Sequence, residues 1–252
     1  MAVTIKSAKQ IEYMREAGRL LAITHEELQK ALKPGMSTLD LDRLGEEIIR
    51  DFGCVPSFRN YNGYPASICV SVNDEVVHGI PSRKRILKDG DIVSLDAGLI
   101  YKGYHADAAR TWGIGSISKE AANLIEVTEE CFFKGIARAR AGAHLYDISG
   151  AIQDHAESFG YGVVRDLVGH GIGSHLHEDP EVPNFRRKGR GLKLCAGMTL
   201  AIEPMINMGT YEVECLDDDW TIVTADGKPS AHYENTILIT EDGCEILTLR
   251  QS

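Results

Sequence analysis

Two carboxylates on one short ribbon need a proton or a cation between them. Asp96 and Asp107 fall within DIVSLDAGLIYKGYHADAARTW, residues 91–112. The β-prone residues Ile92, Val93, Leu95, Ile100, Tyr101 and Tyr104 bracket Lys102-Gly103, where glycine supplies the positive φ of a two-residue hairpin loop. That turn sets Asp96 opposite Ala109. Asp107, two residues away, shares its face as a diagonal neighbour, roughly 7–8 Å off between backbones. Like charges so close are held by a proton or a metal cation. The second half offers more of the same chemistry. VGHGIGSHLHEDP carries His170, His175 and His177, AIEP ends an apolar strand on Glu203, and SAHYENTILIT sets Glu234 inside another. A glutamate among the Val, Ile and Leu of a strand is costly to bury unpaired, although any single one could face solvent. Asp96, Asp107, His170, Glu203 and Glu234, each in a strand or glycine-rich turn, together point to a five-ligand metal site.

These side chains need elements to hold them, and 252 residues at 43% hydrophobic content can bury a substantial core. Ser7 and Gln10 form a capping-box pattern ahead of Ile11, Met14, Gly18, Leu21, His25, Leu28 and Leu32, which recur at helical spacing until Pro34-Gly35. A second helix runs from about Thr38 to Gly53, with Leu41, Leu44, Ile48 and Phe52 on one face. Aromatic, glycine-rich FRNYNGYPAS follows, then ICVSVNDEVVHGIP as strand and turn, then the Asp96 hairpin and a third helix through Leu124, Val127, Cys131, Phe132 and Ile136.

The pattern then repeats. A shift of 107 lays PGMSTLDLDRLGEEIIRDFG over AGAHLYDISGAIQDHAESFG and LKDGDIVSLD over LCAGMTLAIE, so that Asp96 meets Glu203. A shift of 99 lays His78 on His177, with the extra eight residues in the loop 181–191. Helix and turn chemistry accounts for matched glycines, but not for acids and imidazoles at paired places. The repeat implies two helix-helix-strand lobes, about 1–115 and 116–252, facing each other across a pseudo-twofold as one catalytic domain, 1–252.

Composition excludes several function classes. Lys plus Arg number 27 against 37 Asp plus Glu, a net charge of −10, which argues against nucleic-acid or membrane binding through overall charge. The N-terminal stretch carries charges throughout, and no segment approaches the roughly 20 apolar residues of a membrane helix, so a cytoplasmic location is expected. Six cysteines without a C-x-x-C pair read as reduced thiols, most of them small buried hydrophobes.

VNDEVVHGIP, the Asp96/Asp107 pair in SLDAGLIYKGYHADAART, GHGIGSHLHEDP, LAIEPM and HYENTILIT resemble the methionine aminopeptidases, in their type I form, over nearly the whole chain. The resemblance implies an α+β "pita-bread" fold, two pseudo-twofold lobes around a curved antiparallel sheet, with a dinuclear metal centre. Asp96 would chelate one cation, Asp107 and Glu234 would bridge, and His170 and Glu203 would complete the other shell. Two divalent ions about 3.5–4 Å apart activate a water and polarise a carbonyl, and an oxygen-rich set with one imidazole suits Mn, Fe, Co or Zn. The resemblance further gives Glu203 a proton-shuttling role, sets His177 on the substrate carbonyl and places His78 beside the scissile amide. Phe58, Tyr61, Tyr64, Cys69, Leu176 and Trp220 would line the methionine pocket. The family often has Phe at the Leu176 position and Cys at the Phe58 position, a departure that touches pocket shape. His175, on the opposite face if the segment is extended, is expected either to support the ligands from behind or to be structural. Only 33 residues separate His170 from Glu203, which leaves no room for the type II helical insertion.

The implied substrate is the N-terminal methionine of nascent chains, before a small second residue, and a monomer is expected. The loop NFRRKGRGLK carries Arg186, Arg187, Lys188, Arg190 and Lys193, a solvated loop or a contact for ribosomal RNA. Asp217, Asp218 and Asp219 read as a solvated turn. Two alternatives remain at this stage: a proline-specific aminopeptidase or dipeptidase of the same fold, and a catalytically inactive nascent-chain or RNA-binding module.

Overall fold

A computed structural model describes residues 3–250; the two residues at each end of the expected 1–252 domain lie outside it. Each half begins with two capped helices. Helix α1 (Ala8–Ala31) starts on the Ser7/Gln10 capping box and buries Met14, Leu21 and Leu28. Helix α2 (Thr38–Asp51) starts on Ser37, whose backbone N–H donates to Asp40. The strands β1 (Val55–Pro56), β2 (Ile68–Val72), β3 (Glu75–Val77), β4 (Ile92–Tyr101) and β5 (Tyr104–Gly113) complete the first half. The second half has α3 (Lys119–Ile136), α4 (Leu145–Ser158), β6 (Gly162–Val163), β7 (Gly169–Gly171), β8 (Glu178–Val182) and β9 (Thr199–Ile202). It ends with β10 (Met205–Asn207), β11 (Val213–Cys215), β12 (Ile222–Thr224), β13 (Ser230–His232), β14 (Asn235–Ile239) and β15 (Cys244–Ile246).

The repeat is real in three dimensions. The bounds of α2 and α4 differ by the same 107 residues at both ends. Gly35 and Gly142 sit at φ +90 and +85, and their N–H groups donate to Leu87 and Leu194 at 2.8 and 2.9 Å, again 107 apart. Only glycine holds such a φ without strain, so the turn that enters each second helix is fixed in the sequence.

The hairpin has the expected register, Asp96 opposite Ala109, and Lys102 joins Gly103 at positive φ in its turn. Around it β4 pairs with β1, β2 and β5, while the larger sheet of the second half runs β15-β14-β9-β7-β8. All strand pairs among the described residues are antiparallel. The two sheets are stitched where Ala109 and Glu234 exchange backbone hydrogen bonds, at 3.3 and 2.9 Å. Arg110 clamps this seam: its guanidinium donates to the carbonyl oxygens of Ala109 and Glu234 and stacks 4.4 Å from the Tyr233 ring. A second link joins β12 of the second half to β3 of the first.

Each half buries its own apolar core between its helices and its sheet. A third cluster draws on both halves, with Met14, Phe58, Tyr64 and Cys69 from one and Ile172, Leu176 and Leu238 from the other. It forms the floor of the site. The cysteines are all free, as expected of reduced thiols, but only Cys54, Cys69 and Cys131 are fully buried; Cys195 and Cys215 are exposed, because they lie on surface loops and a short edge strand.

Candidate active site

The seam gathers the acids. Asp96 and Asp107 come from the hairpin, His170 from β7, Glu203 from the end of β9, and Glu234 from the turn between β13 and β14. One ligand atom each of Asp107, His170 and Glu234 lie within 4.8 Å of one another. His170 Nε2 stands 3.8 Å from Asp107 Oδ2 and 3.6 Å from Glu203 Oε1. Its Nδ1 faces the Gly171 carbonyl oxygen at 2.9 Å, so the ring hydrogen sits there and Nε2 turns a lone pair to the carboxylates. Burial lowers this histidine to about 3, which keeps it neutral and ready to ligate.

The carboxylates behave as a cluster short of positive charge. Burial raises Asp96 to about 7, against a hydrogen bond with Asp107 that lowers it, and pushes Asp107, Glu203 and Glu234 well above the ordinary range, with charge repulsion from neighbouring carboxylates adding to the rise of those three. Asp96 Oδ1, Asp107 Oδ1 and Glu234 Oε1 are buried without a hydrogen-bond partner. Orphaned buried oxygens are costly unless something outside the chain satisfies them. Three such oxygens beside a neutral imidazole form a donor set that fits divalent cations.

A cavity of about 270 Å³ opens on this cluster. All thirteen residues expected from the sequence line it: the four acids and the His170 imidazole, His78 and His177, and Phe58, Tyr61, Tyr64, Cys69, Leu176 and Trp220. His78 is held at φ +59, in the left-handed region, and burial lowers it to about 4. Strained backbone of this kind persists where the surroundings over-determine it. The His177 ring lies 4.2 Å from His170, and its Nδ1 meets the Tyr61 hydroxyl at 3.0 Å. Burial and the charge of Asp107 raise Tyr61, so the phenol stays protonated. With that phenol donating to Nδ1, the ring hydrogen of His177 is on Nε2. On the apolar side, Tyr64 donates to the Gly79 carbonyl oxygen at 3.0 Å and meets Trp220 edge-on at 5.1 Å. Asp218, in the exposed acidic turn, accepts from the N–H groups of Trp220 and Thr221 at 2.9 and 2.7 Å and so fixes the indole's backbone.

Two residues escaped the sequence reading. Asn62 lines the cavity at φ +49, and its signal was an asparagine between tyrosines in a turn, a residue that tolerates the left-handed region. His232 is buried with both ring nitrogens unpartnered, Nε2 lying 3.9 Å from Glu203 Oε2. Two residues before Glu234 in a strand pattern, it shares that residue's face by the period-2 rule. His175, by contrast, is exposed and does not line the cavity. The basic loop is largely neutralised: Arg186 pairs with Asp154, Arg187 with Glu181 at 3.1 Å and Arg190 with Asp147 at 3.7 Å.

Metallopeptidase family M24 matches residues 12–241. The chain belongs to that family. A methionine aminopeptidase from Clostridium acetobutylicum is 59% identical over 247 residues, covering 98% of this chain and 99% of its own. The crystal structure of a methionine aminopeptidase from Thermotoga maritima superposes with a TM-score of 0.97 at 45% identity, over 99% of this chain and 100% of that one. An Xaa-Pro dipeptidase from Bacillus anthracis shares the fold, at TM-score 0.80 and 24% identity, over 98% of this chain and 62% of that one. The M24 fold is thus the pita-bread architecture that the resemblance implied and whose internal twofold agrees with the repeat, and membership of a metallopeptidase family agrees with the orphaned oxygens of the cavity. No helix among the described residues is long and apolar enough to cross a membrane.

Proposed function

We infer that this M24 chain is a methionine aminopeptidase, a metal-dependent hydrolase that removes an N-terminal methionine standing before a small residue. One observation carries the reading: a single cavity joins four carboxylates, two buried and two half-buried, and a neutral imidazole to a pocket of aromatic, aliphatic and sulfur surfaces. Asp96, Asp107, His170, Glu203 and Glu234 would hold two divalent cations, Co, Mn, Fe or Zn. When bound, the cations supply Lewis acidity, which polarises the scissile carbonyl and lowers the pKa of water from 15.7 to about 7.

The chain's own groups do the rest. Glu203 takes a proton at its carboxylate and returns it to the departing amine. His177 offers Nε2–H to the substrate carbonyl oxygen, a donor aimed at developing charge, and Tyr61 keeps that hydrogen in place. His78 stands by the amide being cleaved. Phe58, Tyr61, Tyr64, Cys69, Leu176 and Trp220 take the methionine side chain, whose thioether suits aromatic and sulfur partners. Ligands from both halves make the whole chain, 1–252, one catalytic unit. We place it in the cytoplasm as a monomer acting on newly made proteins, a setting its free thiols suit.

Release of methionine from Met-Ala-Ser tests the reading, with chelator and then with Mn, Fe, Co or Zn added back singly. Hydrolysis should vanish with chelator and return with metal; cleavage of Ala-Pro peptides alone would overturn the assignment. In the same reading Arg186, Arg187, Lys188, Arg190 and Lys193 touch ribosomal RNA. Reversing those charges should weaken ribosome binding most at low salt, and unchanged binding would remove that contact.

A further inference from the structure

We propose that Thr4 and Lys6 form a positioning strap, in which the Lys6 ammonium, locked to Glu178, holds the loop of Leu176 and His177 from behind. The inference rests on the role given to His177 above. Lys6 and Glu178 are each 8% exposed, and charges this deep occur paired. Lys6 Nζ donates to Glu178 Oε2 at 2.7 Å, and the Thr4 hydroxyl donates to the same oxygen at 2.6 Å. The other oxygen, Oε1, accepts from the His175 N–H at 3.2 Å and the Ser174 hydroxyl at 3.5 Å. One carboxylate at the base of a short return therefore joins the N-terminal segment to the tip of that return.

That return has few other supports. Gly171 pairs with Glu178 across its base, and Gly173 N–H donates to the His175 carbonyl oxygen at 3.1 Å. Ser174 and His175 face solvent. The outer anchors are His105, whose N–H donates to Gly173 at 2.8 Å, and Lys6, whose own N–H donates to Gly197 at 2.9 Å. The sequence makes room for the pair: a Cβ on Gly173 would stand 2.5 Å from Lys6 Cε and 2.6 Å from Glu178 Oε1. A side chain there and the ion pair exclude each other. His177 follows Leu176 and precedes Glu178 in sequence, so any slip of the carboxylate moves the imidazole and the pocket wall together.

The test uses full-length, metal-loaded protein carrying Lys6→Met, which keeps the length of the side chain and removes its charge. Two measurements run in parallel: kcat and KM on Met-Ala-Ser, and backbone amide exchange across residues 172–178. Displacement of a catalytic group by about 1 Å costs about a hundredfold, so kcat should fall by that order, with faster exchange confined to this return. Lys6→Arg should restore most of both. A Lys6→Met protein with a lowered thermal midpoint but unaltered kcat, KM and loop exchange overturns the proposal, because the pair would then serve stability alone. If Lys6→Met does not fold, Thr4→Val carries the test; it removes one hydrogen bond and leaves both charges, with kcat expected to drop about fivefold and no drop in kcat refuting the strap. Failure of the unmutated protein to release methionine would sink the functional reading instead, and loop exchange would still decide on the strap.

Discussion

Filling the cavity with divalent cations should expel protons, and the number expelled follows from burial. Without metal, Asp96 titrates at about 7, so it is half protonated at pH 7, while Asp107, Glu203 and Glu234 are pushed well above their ordinary values by burial and by neighbouring carboxylates. The cluster then retains more than one proton. Ligation needs ionised carboxylates, so these protons leave as the cation enters. Each proton released steepens the apparent affinity by about a decade per pH unit, which makes binding more than tenfold tighter at pH 7 than at pH 6. Stability follows the same linkage. A carboxyl moved up from 3.8 to about 7 disfavours the ionised folded state by ~4 kcal/mol. In the metal-free protein that penalty is absent below about pH 4 and grows as pH rises towards 7, because the unfolded chain gives up the proton first. A bound cation cancels the penalty, so its gain in thermal midpoint should grow between pH 5 and 7.5. Calorimetric titration of chelator-stripped protein with Mn2+, in two buffers of different ionisation enthalpy, counts the protons. Identical heats in both buffers, with an affinity flat across pH, would refute the argument that desolvation keeps these acids protonated.

Other perturbations separate the roles of single residues. Tyr61→Phe keeps the ring and loses the bond to His177 Nδ1; at about 1 kcal/mol for such a bond, kcat should fall about fivefold in steady-state kinetics, with KM little changed. Glu203→Gln keeps the side chain's shape but removes both the proton carrier and a ligand charge, so single-turnover rates at saturating metal should drop by about two to four decades, and a rate near that of the parent would remove the proton-carrying role. Leu176→Ala takes a buried side chain from the pocket wall; KM for Met-Ala-Ser should rise about tenfold while kcat holds, since a lost apolar contact of this kind is worth about 1–3 kcal/mol.

Local chemistry made half of this molecule legible. Ser7 with Gln10 and Ser37 with Asp40 mark helix starts by side chain to backbone bonds three residues apart, and the structure begins α1 and α2 there. Lys102-Gly103 fixed the hairpin's register because a two-residue turn leaves no slack. The pocket was different. Phe58, Tyr61 and Trp220 sit in irregular segments without periodicity, so only resemblance assigned them, and Asn62 beside them went unnoticed. Lys6 and Glu178 lie 172 residues apart in sequence, and no local pattern relates two such charges.

The seam shows why the repeat read from sequence stops where the chemistry starts. Thr111 Oγ1 donates to the His232 carbonyl oxygen and accepts its N–H, both at 2.9 Å; Thr236 Oγ1 does the same for Asp107, at 2.9 and 3.0 Å. Asp107 thus corresponds to His232, Ala109 to Glu234 and Thr111 to Thr236, each at a shift of 125. The second half is therefore eighteen residues longer between its acid and its seam than the 107-residue repeat allows. Those residues lie in the stretch 204–231, which contains the arm of β11 and β12. That arm carries Trp220 to the cavity and pairs with β3, the strand that leads to His78. Symmetry supplied the scaffold and one acid on each side; the insertion and the exchange of Ala109 for Glu234 break it, and in breaking it they give the cavity an indole wall and a fourth carboxylate.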